Sequence, residues 1–139
     1  MLLCLGCVGC SKFQTARECG VFVAAIKTWK EQAPKPAGSA SAPARAPSPA
    51  TVSIESRALA DRYDALAKRI DDLHLSSGEL EPRAAAYQKL ARAAAAALRD
   101  VAHAVEQDDA EGARRRRIEF DDIARGEAPL VADINSICR

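Results

Sequence analysis

Residues 53–105 carry the pattern that most constrains the fold. Apolar residues recur there at alternating steps of three and four in two stretches: Leu59, Tyr63, Leu66, Ile70 and Leu73, then Tyr87, Ala91, Ala94, Leu98, Val101 and Val105. This spacing predicts two helices with coiled-coil-like seams. The sequence SSGE at 76–79 predicts a turn, with Ser76 and Glu79 in capping-box spacing. So short a connection makes the two helices antiparallel neighbours.

A further helix is predicted on each side of this hairpin. Residues 15–33 begin with Thr15 and Glu18 in capping-box spacing and continue through Cys19, Phe22, Ile26 and Trp29. The last helix is expected to start at Asp108 with Glu111 and to follow a seam through Phe120, Ile123, Leu130, Ile134 and Ile137. Glu127 interrupts that seam. Gly126 and Pro129 break its continuity and predict either a kink or a restart.

The predicted fold class is all-α: an antiparallel helical bundle of three long helices plus a shorter N-terminal helix. Residues 34–50 are rich in proline, alanine and serine and are expected to be an extended linker. Residues 51–139 would contain the hairpin and the last helix and would form one bundle with helix one. The length of 139 residues fits a single domain of this kind.

Charge and composition argue against a nucleic-acid-binding protein. Twenty Lys and Arg residues against nineteen Asp and Glu leave a net charge of +1, and aromatic residues make up 4% of the chain. Neither a global positive field nor aromatic stacking platforms are expected. The run from Arg114 to Arg117 is flanked by acidic residues and fans around a helix, so we interpret it as a solvated surface. Contact with lipid headgroups or a polyanion is the alternative.

No catalytic or metal-binding motif is recognisable. Asp71 with His74 and Asp100 with His103 share a D-x-x-H spacing that resembles metal ligands of ferritin-like bundles. In an antiparallel hairpin, however, His103 would lie about 35 Å from His74, given 1.5 Å of rise per residue. We therefore predict exposed helical histidines, no metal, no cofactor and no enzymatic activity.

The segment CLGCVGCSKF at 4–13 spaces three cysteines two residues apart. Iron–sulfur ligands share this spacing, but the next cysteine is as far away as Cys19. Met1–Gly9 contains no polar side chain, and small residues precede Cys10. The segment resembles a bacterial lipobox, which implies a lipid-anchored envelope protein modified on Cys10. Residues 1–9 would then be a truncated signal sequence, residues 10–14 a tether, and a start codon upstream of Met1 would explain the shortness. A merely hydrophobic tail is the other alternative.

A lipobox implies an oxidising location in the periplasm or outside the cell, where disulfides persist. Cys19 and Cys138 both fall on apolar helix faces. If helix one runs antiparallel to the last helix, its start meets that helix's end, which predicts a Cys19–Cys138 disulfide. Two buried free thiols are the alternative.

The predicted function is therefore a membrane-tethered envelope component that offers helical surface to a protein partner. The sequence contains apolar seams for helix packing and no recognisable catalytic or metal-binding motif. Two alternatives stay open. One is a bundle that binds a small apolar ligand near Tyr63 and Tyr87. The other is a cytoplasmic coiled-coil oligomeriser, which requires an unmodified Cys10 and reduced Cys19 and Cys138.

Overall fold

The computed structural model describes residues 8–32 and 47–139, and every regular element among them is a helix. The helices are α1 (Val8–Glu31), α2 (Pro49–Asp71), α3 (Glu81–Glu106), α4 (Ala110–Arg125) and α5 (Glu127–Ile137). They pack against one another as an antiparallel bundle, which confirms the predicted fold class. The greater part of the predicted linker, residues 34–46, lies outside the described residues, as does residue 33, the end of the predicted helix one.

Helices α2 and α3 form the predicted hairpin. Its seam packs at the expected positions, with Leu66 and Leu98 both at 1% exposure. Ion pairs on the rim join the two helices. Arg99 binds Asp61 and Asp64 at 3.0 and 2.6 Å, and Arg57 binds Glu106 at 2.7 Å near the opposite end of the hairpin from the turn. The apolar spacing in the sequence was therefore sufficient to place these two helices.

The last predicted helix is divided into α4 and α5 at Gly126. Of the two predicted outcomes, the chain adopts the restart. Pro129 falls in the first turn of α5, where a missing N–H group costs little. A Cβ atom on Gly126 would lie 3.1 Å from the Ile123 carbonyl oxygen and 3.5 Å from Leu90 Cδ1. The break therefore lies where the chain passes close to α3.

Helix α1 differs from the predicted helix one in its length and its start. It begins at Val8, includes the segment 10–14 that was predicted to be a tether, and has 24 residues against 23 for α2. The shorter N-terminal helix is thus a wrong prediction. No proline occurs between residues 8 and 31 to stop the helix, and Thr15 and Glu18, which suggested a helix start, make contacts elsewhere.

The core has two parts. The disulfide-end cluster joins α1, α2, α3 and α5 and contains the buried residues Cys19, Phe22, Leu66, Ala67, Ile70, Leu80, Ala84, Tyr87, Ala91 and Ile134. The alanine cluster joins α2, α3 and α4 and contains Ala60, Ala94, Ala95, Ala97, Leu98 and Phe120. One end of the bundle is therefore built from four helices and the other from three.

Candidate functional site

Cys19 and Cys138 form the predicted disulfide. Their sulfur atoms are 2.01 Å apart and their Cα atoms 5.5 Å apart, across a sequence separation of 119 residues. Cys19 is 5% exposed and packs beside Phe22 and Ile134. The bridge connects α1 to the residue that follows α5, so it closes the bundle between its first and last described helices. The topological argument from the sequence is confirmed at this point.

Glu18 connects the same end of α1 to the turn between α2 and α3. Its carboxylate accepts hydrogen bonds from the backbone N–H groups of Ser76 and Ser77 at 3.1 and 2.8 Å, and from the Ser76 hydroxyl at 3.0 Å. Gln14 donates to both Glu18 and Ser76, and the hydroxyls of Thr15 and Ser77 share a hydrogen bond of 2.9 Å. The cluster holds the turn against α1.

This cluster corrects both of the predicted capping boxes that it contains. Thr15 and Glu18 lie inside α1 rather than at its start, and Ser76 lies in the turn before α3, whose first residue is Glu81. Glu18 accepts a hydrogen bond from Ser76, 58 residues away, and Thr15 shares one with Ser77, 62 residues away, so these side chains do not cap their own helices. A capping signal identifies side chains able to bind backbone N–H groups, but it does not say which helix will supply those groups.

The hydrogen bonds also fix the charge state of Glu18. Partial burial would raise the pKa of this carboxyl group, but the bonds from Ser77, Gln14 and Ser76 together outweigh that effect and hold the pKa below its usual value. Glu18 is therefore ionised at neutral pH, and its charge is directed at the donors of the turn.

Cys10, the predicted lipidation site, lies in the first turn of α1. The described side chains of α1 begin at Lys12, so lipid attachment to Cys10 stays a prediction. Cys4 and Cys7 lie outside the described residues. Within the described parts of the chain, no helix combines the length and the apolar character that a bilayer crossing requires.

Two grooves flank α1. A groove of about 720 Å³ lies at the disulfide end and is lined by polar groups, among them Lys12, Thr15, Ser76, Glu79 and Arg139. A second groove of about 470 Å³ runs between α1 and α5. Its lining is mainly apolar, from Val23, Ile26, Val131 and Ile134, with Lys27, Lys30 and Glu31 nearby.

A partly buried polar cluster at the break between α4 and α5 was not predicted from the sequence. The hydroxyl of Tyr87 donates a hydrogen bond of 2.5 Å to Glu127, and Lys30 of α1 binds the same carboxylate at 2.8 Å. Burial would raise the pKa of Glu127, but the bonds from Lys30 and Tyr87 lower it. The pKa of Tyr87 is raised, first by burial and then by Glu127. The signal in the sequence was the position of Glu127, an acid that interrupts an apolar seam.

Aromatic packing occupies the region where the sequence suggested a ligand cavity. Tyr87 is 1% exposed and meets Phe22 edge to face at 6.1 Å between ring centroids. Tyr63 packs against Trp29 at 5.0 Å and against Phe120 at 6.1 Å. Side chains of the protein itself therefore fill the space beside the two tyrosines.

The arginine run is balanced locally, as predicted from its neighbours. Arg114 binds Glu111 at 3.2 Å, Arg116 binds Glu119 at 2.9 Å and Arg117 binds Asp121 at 3.3 Å. All these side chains are exposed, so each pair contributes little to stability.

His74 and His103 are both exposed, as predicted. His74 is not helical, however: it follows α2 with a φ of 47°, because the turn to α3 begins before it. No group of three or more His, Cys, Asp or Glu residues is placed to bind a metal ion in residues 8–32 and 47–139.

Comparison with protein-family models, with curated proteins and with solved structures found no match to this chain.

Proposed function

We propose that this protein is a lipoprotein of the bacterial cell envelope, anchored to a membrane through Cys10 and facing the periplasm or the exterior. Its role there would be that of a non-enzymatic helical component that contacts a protein partner or supports structure. The single observation that carries the location is the Cys19–Cys138 bridge.

The bridge supports export because disulfides persist in oxidising compartments and are rare in the bacterial cytoplasm. Both cysteines belong to the packed core at the disulfide end, one buried in it and the other half-buried against it. Because this bond is part of the core, we expect the chain to reach its final fold in an oxidising compartment outside the cytoplasm. Cys10, the proposed lipidation site, lies nine residues before Cys19, so the same short stretch of chain supports both the anchor and the oxidising location.

The non-enzymatic role is supported by what the polar side chains do. The pKa of Glu18 is lowered by donors from the turn between α2 and α3 and from α1, and the pKa of Glu127 by donors from α1 and α3. Tyr87 keeps its proton because burial and Glu127 raise its pKa. These groups join helices together and are engaged with each other. A screen of the full chain against hydrolase and transferase substrates should show no turnover, and turnover abolished by Glu127→Gln would contradict this role.

Intact mass of the protein extracted from membranes of its native host tests the anchor. The expected species lacks residues 1–9, carries a lipid on Cys10 and is lighter by two hydrogens because Cys19 and Cys138 are oxidised. The Cys10→Ser variant is the matched control and should keep its leader and remain free of lipid. A protein that begins at Met1, carries no lipid and contains reduced thiols would contradict the proposal and favour the cytoplasmic alternative.

The groove between α1 and α5 favours a second candidate function, the binding of a small apolar ligand. Its volume of about 470 Å³ lies in the range of small-molecule sites, and Ile26, Val131 and Ile134 give it an apolar floor. The test is a fluorescent hydrophobic probe titrated against the wild type and Val131→Trp, which fills the groove. Saturable binding that this variant abolishes would support the candidate, and binding that is unchanged would contradict it.

A further inference from the structure

Helix α1 exposes an unusual amount of apolar side chain for a surface helix. Five large hydrophobic side chains are exposed among the described residues, and three of them belong to α1: Phe13 at 77%, Val21 at 45% and Val23 at 42%. Gly20 and Ala24 are exposed between them, and a Cβ atom on Gly20 would meet no atom within 4 Å. The side of α1 turned away from the core is therefore uncovered and exposes apolar side chains.

The cations of α1 outnumber its available acids. Lys12, Arg17, Lys27 and Lys30 are exposed, and Glu31 is the exposed acid beside them. The charge of Glu18 is directed inward at the turn. Lys30 is paired with Glu127, and Lys27 lies 3.9 Å from Glu31.

Lys12 and Arg17 differ from those two lysines, because neither has an ion pair with a described residue. On α4, by contrast, most of the arginines bind an acid three or four positions away. The excess positive charge of α1 is therefore a local property of that helix.

These features lie along one side of the helix. At 100° per residue, Phe13, Arg17, Gly20 and Ala24 fall within a sector of about 60°, with Lys27 at its edge. Glu31, the acid beside Lys27, falls in the same sector one turn beyond it. This sector, the outward face of α1, lies opposite the buried Phe22. From residue 13 to residue 27 it extends about 20 Å, at 1.5 Å per residue.

We propose that the outward face of α1 lies along an anionic bilayer surface, with Phe13 entering the headgroup region and Arg17 and Lys27 contacting lipid phosphates. The proposal rests on the lipid anchor of the proposed function, which brings this helix to a membrane. Basic helices with exposed aromatic and aliphatic residues bind at the bilayer interface in this way.

Two observations favour a lipid surface over a second copy of the chain. Copies anchored to one membrane share an orientation, so a symmetric α1–α1 contact would place Arg17 against Arg17 and Lys27 against Lys27. Such like-charge pairs oppose association, whereas anionic headgroups neutralise them. The face also begins three residues after Cys10 in the same helix. No flexible tether separates the predicted anchor from the helix, so an acylated Cys10 holds this part of α1 at the headgroups.

The test uses the full chain with Cys10→Ser, so that no acyl chain contributes to binding. Sedimentation with vesicles of phosphatidylglycerol and phosphatidylcholine in equal parts should show binding that is lost with phosphatidylcholine alone and weakened by added salt. Each Lys or Arg near an anionic surface contributes about fivefold in affinity, so Arg17→Gln with Lys27→Gln should weaken binding about 25-fold. Phe13→Ser should weaken it further.

The control on α4 removes one exposed cation and one exposed apolar side chain, with Arg115→Gln and Ile118→Ser. It should bind vesicles like the parent chain, and circular dichroism should show all variants folded. Absence of binding to anionic vesicles, or an equal loss in the α4 control, would overturn the proposal. So would a dimer in solution that the α1 substitutions dissociate. Because this chain carries no lipid, the result is independent of the mass measurement that tests the anchor.

Discussion

The two ends of the bundle are held together by different means. At the disulfide end, four helices meet around large side chains such as Phe22 and Tyr87, with a covalent bridge and two carboxylates bonded between helices. At the alanine end, three helices meet around Ala94, Ala95 and their neighbours, with ion pairs on the rim. The first end joins segments that are distant in sequence, and the second joins segments that follow one another.

This difference shows where the architecture depends on long-range contacts. Helices α2, α3 and α4 are connected by short turns, so closing them costs little chain entropy, and small side chains let their backbones approach closely. Helix α1 is separated from α2 by the predicted linker and is connected to α5 only through tertiary contacts. Strong individual interactions are needed there, and that is where the disulfide, Trp29 and Glu18 occur.

Removal of the disulfide should cause the largest loss of stability among the changes that test the difference between the two ends. Cys19→Ala with Cys138→Ala should lower the free energy of unfolding by about 4 to 5 kcal/mol, because a loop of more than 100 residues is no longer closed in the unfolded chain. Chemical denaturation under oxidising conditions measures the loss, and reduction of the wild type is the control that should reproduce it. Hydrogen exchange should increase in α1 and α5 and remain slow in the alanine cluster. An equal increase in hydrogen exchange at both ends would contradict this difference between them.

Phe22→Ala should cause the next largest loss in the free energy of unfolding. Phe22 is fully buried against Tyr87, and truncating a buried phenylalanine costs about 4 kcal/mol through lost contacts and the cavity left behind. Val23→Ala is the matched control on the same helix, where 42% exposure predicts a change within about 0.5 kcal/mol. Urea unfolding of both variants measures the difference. Similar losses in the two would mean that α1 is not anchored through its inner face.

Overpacking tests the alanine end. Ala94 is fully buried, and Ala94→Leu should destabilise the fold by about 2 kcal/mol because the added atoms push helices apart. Ala96 is exposed on the same helix, so Ala96→Leu should change stability by less than about 0.5 kcal/mol. Thermal unfolding compares the two. A neutral Ala94→Leu would show that this cluster is loosely packed and that the close approach of its helices is not required.

Much of this comparison was predictable from the sequence. The helices α2 and α3 were predictable from their seams, because apolar residues recur there every three or four positions over short, continuous stretches. The Cys19–Cys138 bridge followed from helix direction, from the apolar faces that carry both cysteines and from the oxidising location that the lipobox-like segment implies. The start of α1 and the roles of Thr15, Glu18 and Ser76 did not follow, because a local capping pattern carries no information about a partner some 60 residues away.

The cluster of Lys30, Tyr87 and Glu127 shows the same limit at the candidate site. The sequence marked Glu127 as an interruption of the seam, yet its two partners come from α1 and α3, and only the packed bundle brings them to it. Polar contacts of this kind depend on distances of a few ångströms between helices, which periodicity does not define. Helix existence and direction were thus accessible from the sequence, whereas the contacts that fasten α1 were not.

The smallest predicted effect concerns this cluster and depends on pH. Glu127→Gln removes the charge that binds Lys30 and should lower the free energy of unfolding by about 1 kcal/mol at neutral pH, since a charged hydrogen bond in a half-buried site is partly screened. The pKa of Glu127 is lower in the folded state than in the unfolded chain. Its stabilising contribution is therefore present above the unfolded pKa and is lost as pH falls through the folded pKa. Urea unfolding from neutral to acidic pH should show wild type and variant converging. Glu31→Gln, at the exposed acid next to Lys30 in α1, is the control and should change stability by less than about 0.5 kcal/mol, because its pair with Lys27 lies at 3.9 Å in solvent. A gap between wild type and Glu127→Gln that persists in acid would mean that side-chain shape, and not charge, fastens α1 to the break between α4 and α5.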